Sequence, residues 1–216
     1  MVYLAPGANS NNGYCTTILT PSCLIVAESQ TKGRGRGANR WWSSEGALTF
    51  SMILSTKSYE VTENRLPLVS LTVGLSICQI VRQMLPSAAV GLKWPNDVYV
   101  DERKLCGILI EAPFQDHLVV GVGLNVNNTF HQAPMDVRHL GIALVDISNM
   151  EYDRRDILKR LITQIETQLK RLSHDCVRLT SEWKKYDILA SSQHKKVNHV
   201  FDSRVQGQHV LIIVRL

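Results

Sequence analysis

Apolar positions follow two rhythms along this chain. Between residues 23 and 122, short apolar runs alternate with turn-forming residues. The runs at 23–27, 48–54, 90–94, 98–100, 105–110 and 118–122 are each predicted as strands. Pro95-Asn96 and Asp101-Glu102-Arg103 supply turns between them. One longer stretch breaks the series. Residues 68–85 follow Pro67, stop before Pro86 and are apolar nearly all round, which predicts a helix buried against a sheet. Farther on, Asp153 is a natural N-cap, Asp156 sits near the positive helix end, and Ile157, Leu158, Leu161, Ile162, Ile165, Leu169 and Leu172 keep helical spacing. A second helix is expected over 177–186. Beyond Ile188, strand-like pieces at 197–201 and 210–214 suggest a small β appendage. Many short strands around few helices predict an α+β sheet domain, not alternating βαβ units. Residues 1–187 form the expected main domain and 188–216 the appendage.

Residues 30–37, by contrast, read as a loop. Gly33, Gly35 and Gly37 alternate with Arg34 and Arg36, and so much backbone freedom argues against a regular element. Charge sharpens the interest of this stretch. The net charge is +5, yet residues 1–150 hold 11 basic and 11 acidic side chains, so the excess lies beyond residue 150. General nucleic-acid binders are more often basic throughout. Within the neutral part, Lys32, Arg34, Arg36 and Arg40 cluster without an acid among them. The 44% hydrophobic content is enough for a core, and the absence of a leader-like start or long apolar run points to a cytoplasmic protein with no membrane partner. Five scattered cysteines without a CxxC pair read as reduced thiols.

Four constellations carry candidate chemistry. In the first, Gln30 to Trp42, alternating Gly and Arg bring backbone N–H groups and guanidinium forks to one place, suited to holding a phosphate. A solvated basic loop or an RNA tether is the plainer reading, but Trp41-Trp42 adds indoles able to wall a pocket. The second is Lys93-Trp94-Pro95-Asn96-Asp97, which alone reads as a rigid turn. In the third, Lys104 stands at the mouth of an apolar strand that contains Gly107 and ends at Glu111. A lysine there is costly unless it meets an anion, or else it snorkels to water. The fourth, Gly121-Val122-Gly123-Leu124-Asn125, leaves two glycines where a ligand could lie against a strand.

In order and spacing these four pieces resemble the biotin protein ligases, whose pattern runs Gln-x-x-Gly-Arg-Gly-Arg, Lys-Trp-Pro-Asn-Asp, Lys-x-x-Gly-Ile-Leu, Gly-x-Gly-x-Asn. The resemblance is clear over 23–127 and weaker to Trp183. It implies a mixed β-sheet flanked by helices, similar to class II aminoacyl-tRNA synthetases, with a short, incomplete SH3-like appendage. It also implies an enzyme that activates biotin with Mg2+·ATP to biotinyl-5′-AMP and passes it to a lysine of a biotin carboxyl carrier domain. By that pattern Gln30, Gly33, Arg34 and Arg36 would line the biotin and phosphate loop. Lys104, with Arg36, would be catalytic; Trp41 would wall the site; Asn96 and Asp97 would orient nucleotide and metal. Gly107 and Gly123 would let the backbone close on biotin, with Asn125 in support.

The chain departs from that pattern at both ends. Ahead of the Gln30 loop, where the family carries a Ser-Thr-Asn-like segment, stand Asn9-Ser10-Asn11-Asn12 and Thr16-Thr17. No winged helix fits before Cys23, so no DNA binding is expected; a homodimer is compatible with the family. A lipoate-type ligase, a catalytically impaired ligase-like protein and a Gly/Arg-loop RNA-binding module are the competing readings.

Overall fold

The computed structural model describes residues 23–191. Six strands form one sheet in the order β1-β4-β8-β7-β6-β5. They are β1 (Leu24–Ala27), β4 (Leu48–Ser55), β5 (Val90–Lys93), β6 (Asp97–Val100), β7 (Arg103–Phe114) and β8 (His117–Leu124). Every pairing between them is antiparallel, and among the described residues parallel contact is confined to the isolated bridges Leu92–Asp187 and Lys104–Gly141. The α+β architecture is as expected, with the expected mixed sheet realised in antiparallel form. Neighbouring strands joined by tight turns, such as Asp101-Glu102 with both residues at positive φ, pair antiparallel because the chain reverses at once.

Residues 30–37 are only in part the expected loop: Gly35, Arg36 and Gly37 belong to a turn, the rest to a strand. Gln30–Arg34 is a strand, β2, and it pairs with β3 (Arg40–Ser43) as a separate hairpin. Glycine freedom is used only at the tip, where Gly37 has φ +64° and the Gly35 N–H donates to the Asn39 carbonyl at 2.9 Å. Gly33 serves close approach instead: a Cβ there would strike the Trp41 carbonyl oxygen on the opposite strand. Cross-strand hydrogen bonds thus outweigh the weak local preference of glycine.

Helix α1 (Leu66–Met84) begins with Pro67 in its first turn, as the pattern predicts. By length and composition, residues Glu63–Met84 could cross a membrane, but the helix is instead packed between the sheet and α4 (Arg154–His174). Its buried hydroxyls donate to carbonyls one turn back, Thr72 to Leu68 and Ser76 to Thr72, both at 2.8 Å, so no polar group is stranded in the layer. Asp153 caps α4 by accepting from the Arg155 N–H at 2.8 Å, and Ile157, Leu161, Ile165 and Leu169 form its buried stripe. Asp175 likewise caps α5 (Cys176–Lys184) by accepting from the Arg178 N–H.

Between β8 and α4, where the pattern predicts nothing, lie two short turns, α2 (Met135–Arg138) and α3 (Leu144–Ser148). Residues Ile188–Ser191 form a further helical turn, α6, and the strand-like pieces at 197–201 and 210–214 lie outside the described residues. Cys23, Cys78, Cys106 and Cys176 are free thiols. Burial pushes the Cys78 thiol up to about 12, which keeps it protonated and inert.

Gly74, in the middle of α1, faces Ile108 and Leu92 at a fitting distance: a Cβ there would stand 3.5 Å from a methyl of each, in ordinary van der Waals contact. Gly74→Ala is therefore expected to raise stability by about 1 kcal/mol through helix propensity, read as a higher Tm.

Candidate active site

The helices cover one face of the sheet; the β2–β3 hairpin lies against the other. Register explains what the hairpin rests on. Lys93, Asp97, Gly107, Gly123, Thr49 and Ala27 are successive cross-strand partners, one row running from β5 to β1. Two residues farther on, Leu109, Gly121 and Ser51 make the next row on the same face. The centre of this face is thus nearly bare, and the Trp41 indole fills the gap. A Cβ built at Gly123 would stand 2.5 Å from Trp41 Nε1, and one at Gly107 would stand 3.1 Å from Trp41 Cζ3.

Between hairpin and sheet opens a cavity of about 910 Å³. Of the residues singled out from sequence, Gln30, Arg34, Arg36, Trp41, Asn96, Asp97, Lys104, Gly107 and Gly123 all line it. Gly33 and Asn125 do not. Gly33 is packed inside the hairpin. Asn125 is 2% exposed and its side-chain amide donates to the Lys104 carbonyl at 3.4 Å, behind the cavity wall. The Asn96 amide donates to the Ile108 carbonyl at 2.6 Å and the Ile108 N–H returns to the Asn96 carbonyl, so this residue locks the turn to β7.

Lys104 is held by its backbone on two sides. Its N–H donates to the Leu140 carbonyl at 2.7 Å and its carbonyl accepts from the Ile142 N–H at 3.1 Å. The ammonium makes a charge contact at 2.7 Å with Asp97 Oδ1 and lies 5.6 Å from the centre of the Trp41 ring. The same stretch reaches the hairpin: Phe130 packs on Gly141, whose missing side chain admits the ring, and stacks against Trp42 at 5.4 Å between centroids. Two contacts therefore fasten the base of the hairpin, while Arg36 and Arg40 at its tip stay exposed.

Sequence reasoning missed the partner of Arg34. Its Nη2 donates to Glu111 Oε1 at 2.6 Å, and the Glu111 side chain is only 4% exposed. The signal was there: Glu111 shares the strand parity of Gly107 and Leu109, which put it on the cavity face. Glu111 itself does not line the cavity; Ser51, Asp136, Val137 and Leu140, which do, carried no comparable mark. Two buried polar atoms without a hydrogen-bond partner lie on this side of the sheet, Trp41 Nε1 and Glu111 Oε2. Such atoms suit a polar ligand.

The donor set fits no resident metal. Among the described residues no three His, Cys, Asp or Glu side chains converge, and Asp97 Oδ1 faces an ammonium.

This layering, helices behind an antiparallel sheet and a basic hairpin in front, is shared with solved biotin protein ligases. The biotin protein ligase from Aquifex aeolicus, solved in complex with biotin and ATP, superposes with a TM-score of 0.68 at 31% identity, over 83% of this chain and 72% of that one. The family model for the Biotin/lipoate A/B protein ligase family matches residues 10–125, and the chain belongs to that family. The biotin–[acetyl-CoA-carboxylase] ligase of Mycobacterium tuberculosis is 31% identical over 89% of this chain and 68% of its own length. The bifunctional ligase/repressor BirA of Bacillus spizizenii is 25% identical over 85% of this chain but only 58% of its own.

Two expectations follow from the packing. Gly123→Ala should cost about 1–3 kcal/mol by forcing the indole off the sheet, and that cost should vanish in a Trp41→Ala background, as read by melting of the four proteins. The second concerns pH. Burial raises the Glu111 pKa above the ordinary carboxylate value, more than the adjacent Arg34 guanidinium lowers it. A raised carboxylate costs the folded state stability once pH exceeds the unfolded value, and fully so above the folded one. The Tm of Glu111→Gln minus that of the wild type should therefore climb as pH rises from about 4 toward neutrality.

Proposed function

We propose that this chain ligates biotin to a specific lysine of a biotin carboxyl carrier domain, through biotinyl-5′-AMP, with Mg2+·ATP as co-substrate. One observation carries the reading: Lys104 and the Arg34–Arg36 stretch line a single cavity together with Gly107 and Gly123. Cations on two sides of a small cavity suit a reaction that must bring two anions together. Family membership and the likeness to a ligase solved with biotin and ATP support the choice of substrates.

In the first step a biotin carboxylate oxygen attacks the α-phosphorus of ATP. An O–P bond forms, the bond to the β-phosphate oxygen breaks, and pyrophosphate leaves. No covalent work falls to the protein, whose task is to position and neutralise. Lys104 turns its ammonium from Asp97 to the negative charge growing between carboxylate and phosphorus. Arg34 and Arg36 supply guanidinium forks to the phosphate oxygens, and Trp41, seated on the sheet, walls the ligand. In the second step the carrier lysine, as the neutral amine, attacks the anhydride carbonyl. An amide bond forms, AMP departs, and the amine proton is lost to solvent. Closure of the hairpin keeps water from the anhydride between the two steps.

Mixing the protein with biotin, Mg2+·ATP and a biotin carrier domain should give a streptavidin-reactive carrier; its absence would refute the reading, and a product with lipoate in place of biotin would reassign the substrate. Lys104→Ala should lower biotinyl-AMP formation by about 100- to 1,000-fold while weakening biotin binding far less, measured by pyrophosphate release and by calorimetry. Equal losses in both would leave Lys104 as a ground-state contact only.

A further inference from the structure

Glu111 is the one acid on the cavity face of β7, and its surroundings make it expensive. Its neighbours in the strand, Leu109 and Ile110, are apolar. Its side chain is 4% exposed; Oε1 meets Arg34 at 2.6 Å and Oε2 has no hydrogen-bond partner. A buried carboxylate with a single cation partner is commonly no more stabilising than an apolar residue of the same size. Fold stability therefore does not account for an acid at this position, whereas the placement of Arg34 does.

We propose that Glu111 is a positioning residue for adenylate formation: from the floor of the sheet it holds the Arg34 guanidinium by one Nη, so that the other N–H donors of the fork are presented to the anion in the cavity. The inference rests on the ligase reading above. Geometry makes the role one of reach. Arg34 stands at the end of β2, next to the turn, where the hairpin alone would leave its long side chain free among many rotamers. Pairing with a buried carboxylate removes that freedom before the ligand arrives, which is how preorganisation lowers the cost of binding.

Two effects of the carboxylate oppose each other, and they make the test sharp. As a negative charge near the anion site, Glu111 weakens anion binding; as an anchor for the guanidinium, it strengthens it. If charge dominated, Glu111→Gln would speed adenylate formation. If anchoring dominates, as the 2.6 Å contact indicates, the variant slows it.

The experiment follows biotinyl-AMP formation in wild type, Glu111→Gln, Arg34→Ala and the double variant, with melting as the control for folding. Glu111→Gln is expected to lose about tenfold, and to lose nothing further once Arg34 is already Ala. Faster adenylation in Glu111→Gln, or the same loss in both backgrounds, would overturn the proposal. Should Glu111→Gln fail to fold, Glu111→Asp carries the same expectation, since it keeps the charge and withdraws the reach. Trypsin provides a readout that needs no substrate: cleavage after Arg34, relative to cleavage after Arg36, should rise severalfold in Glu111→Gln. An unchanged ratio would count against the anchor. A wild-type protein that makes no biotinyl-AMP would sink the ligase reading instead, while the trypsin comparison would still report on the Glu111–Arg34 contact.

Discussion

Gly107 and Gly123 are direct partners across the β7–β8 ladder, so two adjacent strands lack a side chain at one point of the open face. That gap admits the Trp41 indole, and the indole brings the whole hairpin down onto the sheet. Everything else in the site depends on this contact. With any larger residue at either glycine the hairpin would stand off, Arg34 would lose Glu111, and the Lys104 ammonium would lose the ring beside it. A sheet with helices on one face must cover the other with something; here the cover is a basic hairpin, and the space left beneath it is the cavity.

Two cations of that cavity, Lys104 and Arg34, do not wait unpaired. Lys104 is matched by Asp97 and Arg34 by Glu111, each across a different strand of the same face. Such pairing keeps like charges from repelling one another in a confined space and holds the long side chains in place. The two pairs differ in kind. Asp97 lies in the bare row beside Gly107, where Lys104 can leave it for a stronger anion. Glu111 lies two strand positions beyond Leu109 and is almost wholly enclosed, so its grip on Arg34 is an anchor.

Much of the fold is legible in residue order because the signals are local. The α1 helix is announced by Pro67 and an apolar run, α4 by Asp153 and a stripe of seven apolar positions, and the sheet strands by short apolar runs between turns. The hairpin was the principal misreading. Local preference pointed to a loop at 30–37, but pairing with Arg40–Ser43 supplies the hydrogen bonds that glycine-rich backbone would otherwise give to water. Likewise α2 and α3 carry no periodic stripe; they are short turns, with the residues between them bonded to Lys104 and the start of α3 bonded to Asn125. Gly33 and Asn125 illustrate the converse: motif positions that face inward and shape the site without bordering it.

Residue order by itself determined the α+β class, the strand and helix periodicities, and the set of cationic, glycine and indole positions with chemical potential, since each follows from spacing along one segment. Tertiary structure alone decided which of them meet. The row from Asp97 through Gly107 and Gly123 to Thr49 joins the consecutive strands β6, β7 and β8 to the distant β4, and the partner of Arg34 stands 77 residues away. Such pairings are set by sheet register, in which a shift of one residue would turn every side chain to the opposite face. No local pattern encodes that choice; the burial of the apolar face against α1 makes it.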